Sequence, residues 1–249
     1  ASGMAAMGKI PFIASYAMFS PGRNWEQIRT TIAYNNRPVK IAGSHAGVSV
    51  GPDGGTHQAI EDIALMRIIP RVIVLSPCDA LEAKRATIAA ALIDAPVYIR
   101  LAREKTPIIT TPETEFEIGK AYVYYESEKN KPVITLIATG ALVHNALLAA
   151  QKLDEEGIGS IVLNVPTIKP LDTEIILKYV KLTKKVVTIE EHQVAGGLGS
   201  AIAEFLAENL PTEMRFIGVK DMFGQSGTPT ELIEHYGMGV SSIIKKAKE

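Results

Sequence analysis

Short apolar runs alternate with longer amphipathic stretches along the 249 residues of this chain. In the first half, amphipathic stretches at 23–34, 57–68 and 79–93 predict helices. The last begins at Asp79, a predicted cap, with Glu82 at the spacing of a capping box. Four runs between them predict strands, several apolar almost throughout, as is typical of strands covered on both faces. These runs are Pro11–Tyr16, Val39–Ala42, Arg71–Leu75 and Val97–Leu101.

The alternation stops between Arg103 and Pro132, where prolines and charged residues are frequent. One short strand is predicted there, at Lys120–Tyr125, and the segment fits a boundary between domains. Beyond it, strands and helices alternate again. The predicted strands are Val133–Ala138, Ser160–Val165, Lys185–Glu190 and Met214–Val219, and the predicted helices are 141–156, 172–181, 198–209, 229–236 and 239–248. This order predicts two successive three-layer α/β domains with mainly parallel sheets.

The segment from Ser44 to Gln58 breaks the regular pattern and concentrates polar chemistry. His45, Asp53 and His57 lie within it, separated by glycines and a proline that disrupt regular structure. The segment follows one predicted strand and precedes one predicted helix, a junction at which α/β proteins place binding and catalytic groups. We interpret it as a candidate active-site loop. The alternative is a structural turn whose histidines cap neighbouring elements.

Composition and charge argue against several classes of function. A net charge of -1 offers no broad electrostatic attraction for nucleic acid or for an anionic membrane. No apolar run approaches the roughly 20 residues of a membrane helix, and the N-terminus does not have the pattern of a secretory signal. The single cysteine, Cys78, cannot form an intrachain disulfide and suits a reducing cytoplasm. We expect it to be a packed small hydrophobe.

A set of motifs spread over essentially the whole chain resembles transketolases. The first half carries His45-Ala46-Gly47, Gly51-Pro52-Asp53-Gly54-Gly55-Thr56-His57-Gln58 with Glu61, Tyr16-Ala17-Met18-Phe19, Arg67-Ile68-Ile69-Pro70, Pro77-Cys78-Asp79 and Arg103. The second half carries Thr188-Ile189-Glu190-Glu191-His192 and Gly196-Gly197-Leu198-Gly199-Ser200. The resemblance implies a pyrimidine-binding domain at 1–112 that is truncated at its N-terminus, a linker at 113–132 and a transketolase C-terminal domain at 133–249.

The resemblance implies transfer of a two-carbon ketol unit between sugar phosphates with thiamine diphosphate, a cofactor that carries the difficult chemistry itself. By this resemblance, Phe19 stacks on the aminopyrimidine ring and Tyr16 lines the same slot. For Tyr16, a place in the core is an equal alternative. His57 lies near the amino group of the cofactor, and His45 and Asp53 contact hydroxyls of the sugar. Histidine suits such chemistry because it exchanges protons near neutral pH.

The resemblance also names a phosphate-binding residue. Arg103 matches an arginine that binds the substrate phosphate, for which a planar guanidinium is well suited. Arg100 is the competing candidate by spacing and ranks second, because it is expected on another face of the strand.

Two departures from the family pattern bear on the cofactor site. Gly22, followed by Arg23, stands where some transketolases have a third aromatic residue, so the slot must be completed differently. The essential glutamate of the family, which protonates the aminopyrimidine ring, lies upstream of the first residues of this chain, and no acidic residue precedes Glu26. Glu26 lies on the wrong side of Phe19 to replace it. The chain is therefore expected to begin inside the pyrimidine-binding domain.

The resemblance further implies a partner. Asp53-Gly54 is followed by no asparagine before Asn130, so the turn that holds diphosphate and metal in this family has no counterpart. We predict no metal ligand in this chain and expect Mg²⁺ or Ca²⁺ to be bound by an N-terminal transketolase domain or subunit. A homodimer, sugar phosphate substrates, a cytoplasmic location and the pentose phosphate pathway are further implications.

Other interpretations stay open on the sequence. Deoxyxylulose-phosphate synthase and the beta subunit of 2-oxo acid dehydrogenases share this pair of domains, and His45 favours transketolase over the synthase. A hypothesis from a different class of function is that the chain by itself is a non-catalytic assembly module. In the second half, the turn Gly196–Ser200 is interpreted as tight strand–helix packing, with anion binding by its amides as the alternative. Glu190, Glu191 and His192 at a strand end are a weaker candidate site.

Overall fold

A computed structural model describes residues 1–249 of the chain. Its strands β1 to β10 are, in chain order, Phe12–Tyr16, Lys40–Ser44, Ile73–Leu75, Val97–Arg100, Tyr122–Glu126, Pro132–Ala138, Gly159–Asn164, Thr167–Lys169, Lys185–Gln193 and Glu213–Val219. Its helices α1 to α9 are Ser2–Ala6, Trp25–Gln27, Asp62–Arg67, Ala80–Leu92, Leu142–Glu155, Thr173–Thr183, Leu198–Asn209, Pro229–His235 and Val240–Lys248. A π-helix, Ile28–Tyr34, continues α2, and a kinked 3₁₀ segment, Val48–Asp53, follows β2.

The strands form two five-stranded sheets. The first sheet has the order β1-β2-β4-β3-β8, and the second has the order β10-β9-β6-β7-β5. All neighbours are parallel except β8 against β3 and β5 against β7. The predicted fold class, two α/β units with mainly parallel sheets, is confirmed. Strand β8 was not predicted, because three residues are too few to show a periodicity. This strand of the second half completes the sheet of the first.

Several helices differ from the sequence prediction at their starts. The predicted helix at 57–68 begins only at Asp62, because residues up to Glu61 belong to an irregular loop. The predicted helix at 23–34 is the short α2 followed by the π-helix, and α1 was not predicted. Asp79 caps α4 as predicted, accepting from the Glu82 amide at 2.8 Å. The Glu82 carboxylate reaches one residue further back than in a capping box, to the Cys78 amide at 2.6 Å.

One apolar core connects the two sheets. A single cluster of buried side chains includes Ile41 and Val74 from the first sheet and Ile137, Leu163 and Val186 from the second, all fully buried. Burying each such side chain stabilises the folded chain by about 1.5–3 kcal/mol. Because the two halves share this core as well as β8, the strand ends of the first half are held against those of the second.

A buried guanidinium joins the halves at the carboxyl ends of the strands. Arg100, the last residue of β4, donates to both carboxylate oxygens of Asp62, at 2.8 and 3.2 Å. It also donates to the carbonyl oxygens of Ala59, at 3.3 Å, and of Glu191 in β9, at 2.8 Å. Tyr98 donates to the same carboxylate at 2.6 Å. Arg100 therefore fixes the start of α3 and the end of β9 relative to β4, and it is not free to bind a substrate.

His192 forms a second buried joint between the halves. Its Nδ1–H donates to the Gln193 carbonyl at 2.7 Å, and its Nε2 accepts from the Ala64 amide at 3.3 Å. This pattern requires a neutral ring protonated at Nδ1. Burial disfavours the charged form and lowers the pKa of His192 to about 4. The imidazole therefore bridges β9 and α3 as a neutral group at physiological pH.

Replacing Arg100 tests the first joint. We expect Arg100→Met to lower the free energy of unfolding by about 3–5 kcal/mol, because it leaves the Asp62 carboxylate buried without a counter-charge. Urea denaturation measures the loss. Arg103→Met, which removes a part-exposed ion pair instead, is the matched control, with an expected change of at most about 1 kcal/mol. Equal losses in the two variants would contradict the role given to Arg100.

Acid tests the second joint. The unfolded chain protonates His192 near its ordinary pKa of 6.5, whereas the folded chain resists protonation until about pH 4. Stability associated with this group is therefore present above pH 6.5 and lost as the pH falls from 6.5 to 4, by about 3 kcal/mol in total. Denaturation curves of the wild type and of His192→Gln, recorded between pH 7 and pH 4, measure the difference in the free energy of unfolding. Glu190 is present in both proteins, so its own titration contributes to both curves. A variant with unchanged acid sensitivity would contradict the prediction.

Candidate active site

Four predicted site residues form one cluster of rings at the ends of β1 and β2. The Tyr16 and His45 rings stack with centroids 3.9 Å apart and planes at 12°. His57 packs edge-on against both aromatic rings, with centroids 5.9 Å from Tyr16 and 5.4 Å from Phe19. All four side chains are partly exposed. The cluster thus offers apolar ring faces and imidazole nitrogens on one part-open surface.

Sheet register explains how distant residues meet there. β1 and β2 are parallel neighbours that pair Tyr16 with Ser44, so their carboxyl ends coincide and His45 follows directly beside Tyr16. His45 has a φ of 54°, a left-handed conformation that turns the chain out of the strand. Phe19 lies one turn beyond Tyr16, with its amide bonded to the Tyr16 carbonyl at 2.9 Å.

A neighbouring hydroxyl determines the proton position on His45. Ser44 Oγ donates its only proton to the Ser15 carbonyl at 3.1 Å, so it can only accept from His45 Nδ1, 3.1 Å away. In the neutral ring, the proton is therefore on Nδ1, and Nε2 is an acceptor. His57 Nδ1 lies 2.9 Å from Thr56 Oγ1, which holds that ring edge in the loop.

Residues of the second half hold the loop between His45 and Gln58 in place. The Glu191 carboxylate accepts from the Ser49 amide at 2.6 Å. The Gln58 side-chain amide donates to the carbonyls of Val48 and Gln225, at 2.9 and 3.0 Å. Gly47, with a φ of 90°, is required by this contact, because a Cβ there would lie 2.2 Å from Glu191 Oε1. The loop is therefore built jointly by both halves.

Asp53 and Arg103 form a separate pair at the outer part of this loop. Arg103 Nη1 lies 3.5 Å from Asp53 Oδ1 and also donates to the Val50 carbonyl. Both side chains are about one-third exposed, at 33% for Arg103 and 29% for Asp53. A charged ligand can reach either group, in contrast to the enclosed Arg100. The sequence ranks Arg103 above Arg100 as the candidate phosphate ligand, and Arg103 is the more exposed of the two.

Arg23 lies over one ring of the aromatic cluster. Its guanidinium carbon lies 5.0 Å from the centroid of the Phe19 ring, a cation–π contact. Gly22 itself has no room for a larger residue, because a Cβ would lie 2.0 Å from the Met18 carbonyl oxygen. The sequence indicated that the slot must be finished differently at Gly22, and the structure has Arg23 over the ring.

Other candidates of the sequence analysis lie in the interior. Glu190 accepts from the amides of Leu198 and Gly199 at 2.7 and 2.8 Å, so the start of α7 already holds an internal carboxylate. Burial raises the pKa of Glu190 to about 7. Burial also raises the pKa of the Cys78 thiol, which keeps it protonated and unreactive. These groups support the site from behind and do not line it.

Three residues hold the candidate loop through contacts that the sequence does not predict. Gln58 is part of a motif, Glu191 belongs to the weaker candidate site at a strand end, and Gln225 has no predicted role. No local pattern marks these contacts, since one of them joins residues that are 167 positions apart in the chain. No group of three or more His, Cys, Asp or Glu side chains is arranged to hold a metal ion. No helix has the length and apolar character needed to cross a membrane.

Comparison with known proteins identifies the family. The profile described as transketolase, pyrimidine binding domain, matches residues 1–108, and the profile described as transketolase, C-terminal domain, matches residues 123–243. A Methanocaldococcus jannaschii protein named as a transketolase C-terminal section is 44% identical over all of this chain and 78% of its own length. A 6-deoxy-6-sulfo-D-fructose transketolase subunit from Clostridium sp. (strain MSTE9) is 42% identical over all of this chain and 76% of its own.

Solved structures agree. A structure titled as a split gene transketolase, an inactive beta4 tetramer, superposes with a TM-score of 0.92 at 42% identity, covering all of this chain and 78% of that one. The transketolase of Campylobacter jejuni gives a TM-score of 0.77 at 25% identity, covering 95% of this chain and 35% of that one. The chain belongs to the transketolase family and contains its pyrimidine-binding and C-terminal domains.

Proposed function

We propose that this chain provides the aminopyrimidine and sugar side of a thiamine diphosphate-dependent site that transfers a ketol unit between sugar phosphates. The ring cluster of Tyr16, Phe19, His45 and His57 is the observation that carries this proposal. Part-exposed aromatic faces suit a flat heteroaromatic ring, and the imidazole edges beside them suit its polar substituents. The residues present therefore fit the cofactor. Thiamine diphosphate, when bound, supplies the carbanion chemistry.

We assign the two histidines different tasks. His57 lies edge-on to Phe19, so a ring stacked on Phe19 brings its substituents within reach of this imidazole. His45 has its Nδ1 proton bonded to Ser44, which leaves Nε2 to accept a proton from a sugar hydroxyl. Protonated His45 can return that proton later in the cycle, as general acid–base catalysis requires. Tyr16 stacks on His45 and orients it.

We assign the outer ion pair to the substrate. Arg103 offers a planar guanidinium to a phosphate, and Asp53 offers a carboxylate to a sugar hydroxyl. In the free chain they neutralise each other across 3.5 Å. A bound phosphate would compete with Asp53 for Arg103 and leave the carboxylate free to accept from the sugar. The pair thus keeps both charges satisfied until a substrate arrives.

The proposed site requires a second polypeptide. Related proteins are named as transketolase subunits, and a structure with 42% identity is titled an inactive beta4 tetramer. We propose that an N-terminal transketolase section binds the diphosphate and its divalent metal and supplies the glutamate that activates the aminopyrimidine ring. We also propose that the chain pairs with a second copy of itself and is inactive alone. In that isolated state, it behaves as an assembly module.

Reconstitution tests the proposed activity. We expect the chain mixed with an N-terminal transketolase section, thiamine diphosphate and Mg²⁺ to transfer a ketol unit from xylulose 5-phosphate to ribose 5-phosphate. The chain alone is expected to show no transfer above background, because half of the site is on the partner. A coupled assay for glyceraldehyde 3-phosphate measures the product. Decarboxylation of pyruvate in place of ketol transfer would contradict the proposal and favour a 2-oxo acid enzyme or a deoxyxylulose-phosphate synthase.

Histidine variants test the assigned roles. In the reconstituted enzyme, we expect His57→Ala and His45→Ala each to lower kcat by about 10²-fold or more, because each removes a proton-exchanging group. The free energy of unfolding should change by at most about 1.5 kcal/mol, the value of one ring contact.

His235→Ala, at an exposed position in α8, is the matched control: it removes one ring contact, with Tyr236, so the free energy of unfolding should change by a similar amount while kcat stays unchanged. Parallel losses of activity and stability at His45 and His57 would favour the structural interpretation of these two residues.

A further inference from the structure

A cavity lies between the two halves, behind the candidate active-site loop. Its volume is about 470 Å³, within the range of small-molecule sites. It opens between the carboxyl ends of β3 and β4 on one side and the start of α5 on the other. Ala46 contributes to its wall, so the cavity backs onto the loop that carries His45. None of the four ring-cluster residues lines it.

The start of α5 supplies unsatisfied donors to this cavity. This 14-residue helix has no side-chain cap. Gly140 and Ala141 line the cavity, and the amides of Ala141 and Leu142 have no hydrogen-bond partner. Free amides at a helix start, together with the helix dipole, attract anions. The corresponding start of α7 differs, because Glu190 already fills it.

The Ser76 side chain supplies a further hydrogen-bond donor to this cavity. Ser76 follows β3, lines the cavity and is 1% exposed. Its carbonyl accepts from the Gly140 amide at 3.2 Å, which holds it beside the start of α5. Its hydroxyl has no hydrogen-bond partner. Ser76 Oγ is reached from the cavity and is not sealed within the protein, so its proton is free for an acceptor bound there.

The charged groups around the cavity leave a surplus of donors. The Asp79 carboxylate accepts from the Glu82, Ile109 and Thr110 amides and from the Thr110 hydroxyl. The other charges are also engaged, with one exception: Glu191 accepts from Ser49, Arg100 pairs with Asp62 and Glu104 lies 3.7 Å from Arg103, while Lys105 at the mouth has no partner. Free donors therefore face the cavity, and the carboxylates there are already engaged.

We propose that this cavity binds the phosphate group of a small phosphorylated metabolite. Ser76 Oγ and the first amides of α5 hold the phosphate oxygens, and Lys105 closes the mouth over the negative charge. The apolar wall, which includes Ala80, Ala83 and Leu101, receives the carbon part of the ligand. The site is separate from Arg103 and does not depend on the proposed ketol transfer.

A titration with inorganic phosphate tests the proposal. The chain carrying Arg103→Met and Glu104→Gln is used, so that the proposed substrate phosphate site is removed without freeing the Glu104 carboxylate at the cavity. Amide ¹H–¹⁵N shifts of Gly140 and Ala141 are followed while phosphate is added, with sodium chloride at matched ionic strength as the salt control. We expect saturable shifts at these amides with phosphate and none with chloride. The absence of saturable shifts would overturn the proposal.

Substitutions in the same background separate the site from general anion binding. Ser76→Ala and Lys105→Met should each weaken phosphate binding about tenfold, the effect of one hydrogen bond to a charged group. Lys120→Met removes an exposed lysine from another surface and should change nothing. Equal affinities in Lys105→Met and Lys120→Met, with Ser76→Ala also unchanged, would overturn the proposal.

A substitution at the start of α5 adds a second readout. Ala141→Asp places a carboxylate at the N-cap of α5, where it should raise the thermal midpoint by interacting with the free amides and the helix dipole. The same carboxylate should abolish phosphate binding by repulsion. A more stable protein that no longer binds phosphate is the expected result. A more stable protein that binds phosphate with unchanged affinity would overturn the placement of the site at α5.

Discussion

The buried ion pair of Arg100 and Asp62 is the contact on which the candidate site depends. Arg100 ends β4 in the first half, and its guanidinium also donates to the carbonyl of Glu191 at the end of β9. A buried charge pair is costly to form unless every donor and acceptor is satisfied, and here Tyr98 and two carbonyls complete the set. The network therefore defines one relative position of the halves. A shift of either half would leave a buried charge incompletely bonded.

The loop between His45 and Gln58 inherits its geometry from that position. Glu191 is held by its carbonyl to Arg100, and its carboxylate in turn holds the Ser49 amide. Gln58 ties the other end of the loop to Gln225. A segment rich in glycine has a large conformational entropy to lose, and these contacts offset that loss. The C-terminal domain thus shapes the candidate active site although it contributes none of the four rings.

The extent to which the sequence predicted this protein varies with the range of the interactions involved. Apolar runs predicted nine of the strands and amphipathic stretches predicted most helices, because apolar side chains recur along the chain at the spacing of each kind of element. Asp79 was recognised as a cap because its partner is three residues away. Strand β8 was missed, since it is stabilised by pairing with β3 from the other half. The buried ion pair of Arg100 was not predicted, because spacing along a strand does not reveal a carboxylate 38 residues away.

Local patterns and residue types are enough to predict the two α/β units, the loop that concentrates histidine and aspartate, and the resemblance to transketolases. Which side chains come into contact depends on how the chain packs in three dimensions. In the folded chain, Tyr16 stacks on His45 and Arg23 lies over Phe19. Arg100 is buried, whereas Arg103 is partly exposed to solvent. Ring contacts, burial and the pairing of charges depend on the register of neighbouring strands and on the packing of one half against the other. The spacing of residues along the chain predicts neither the register nor the packing.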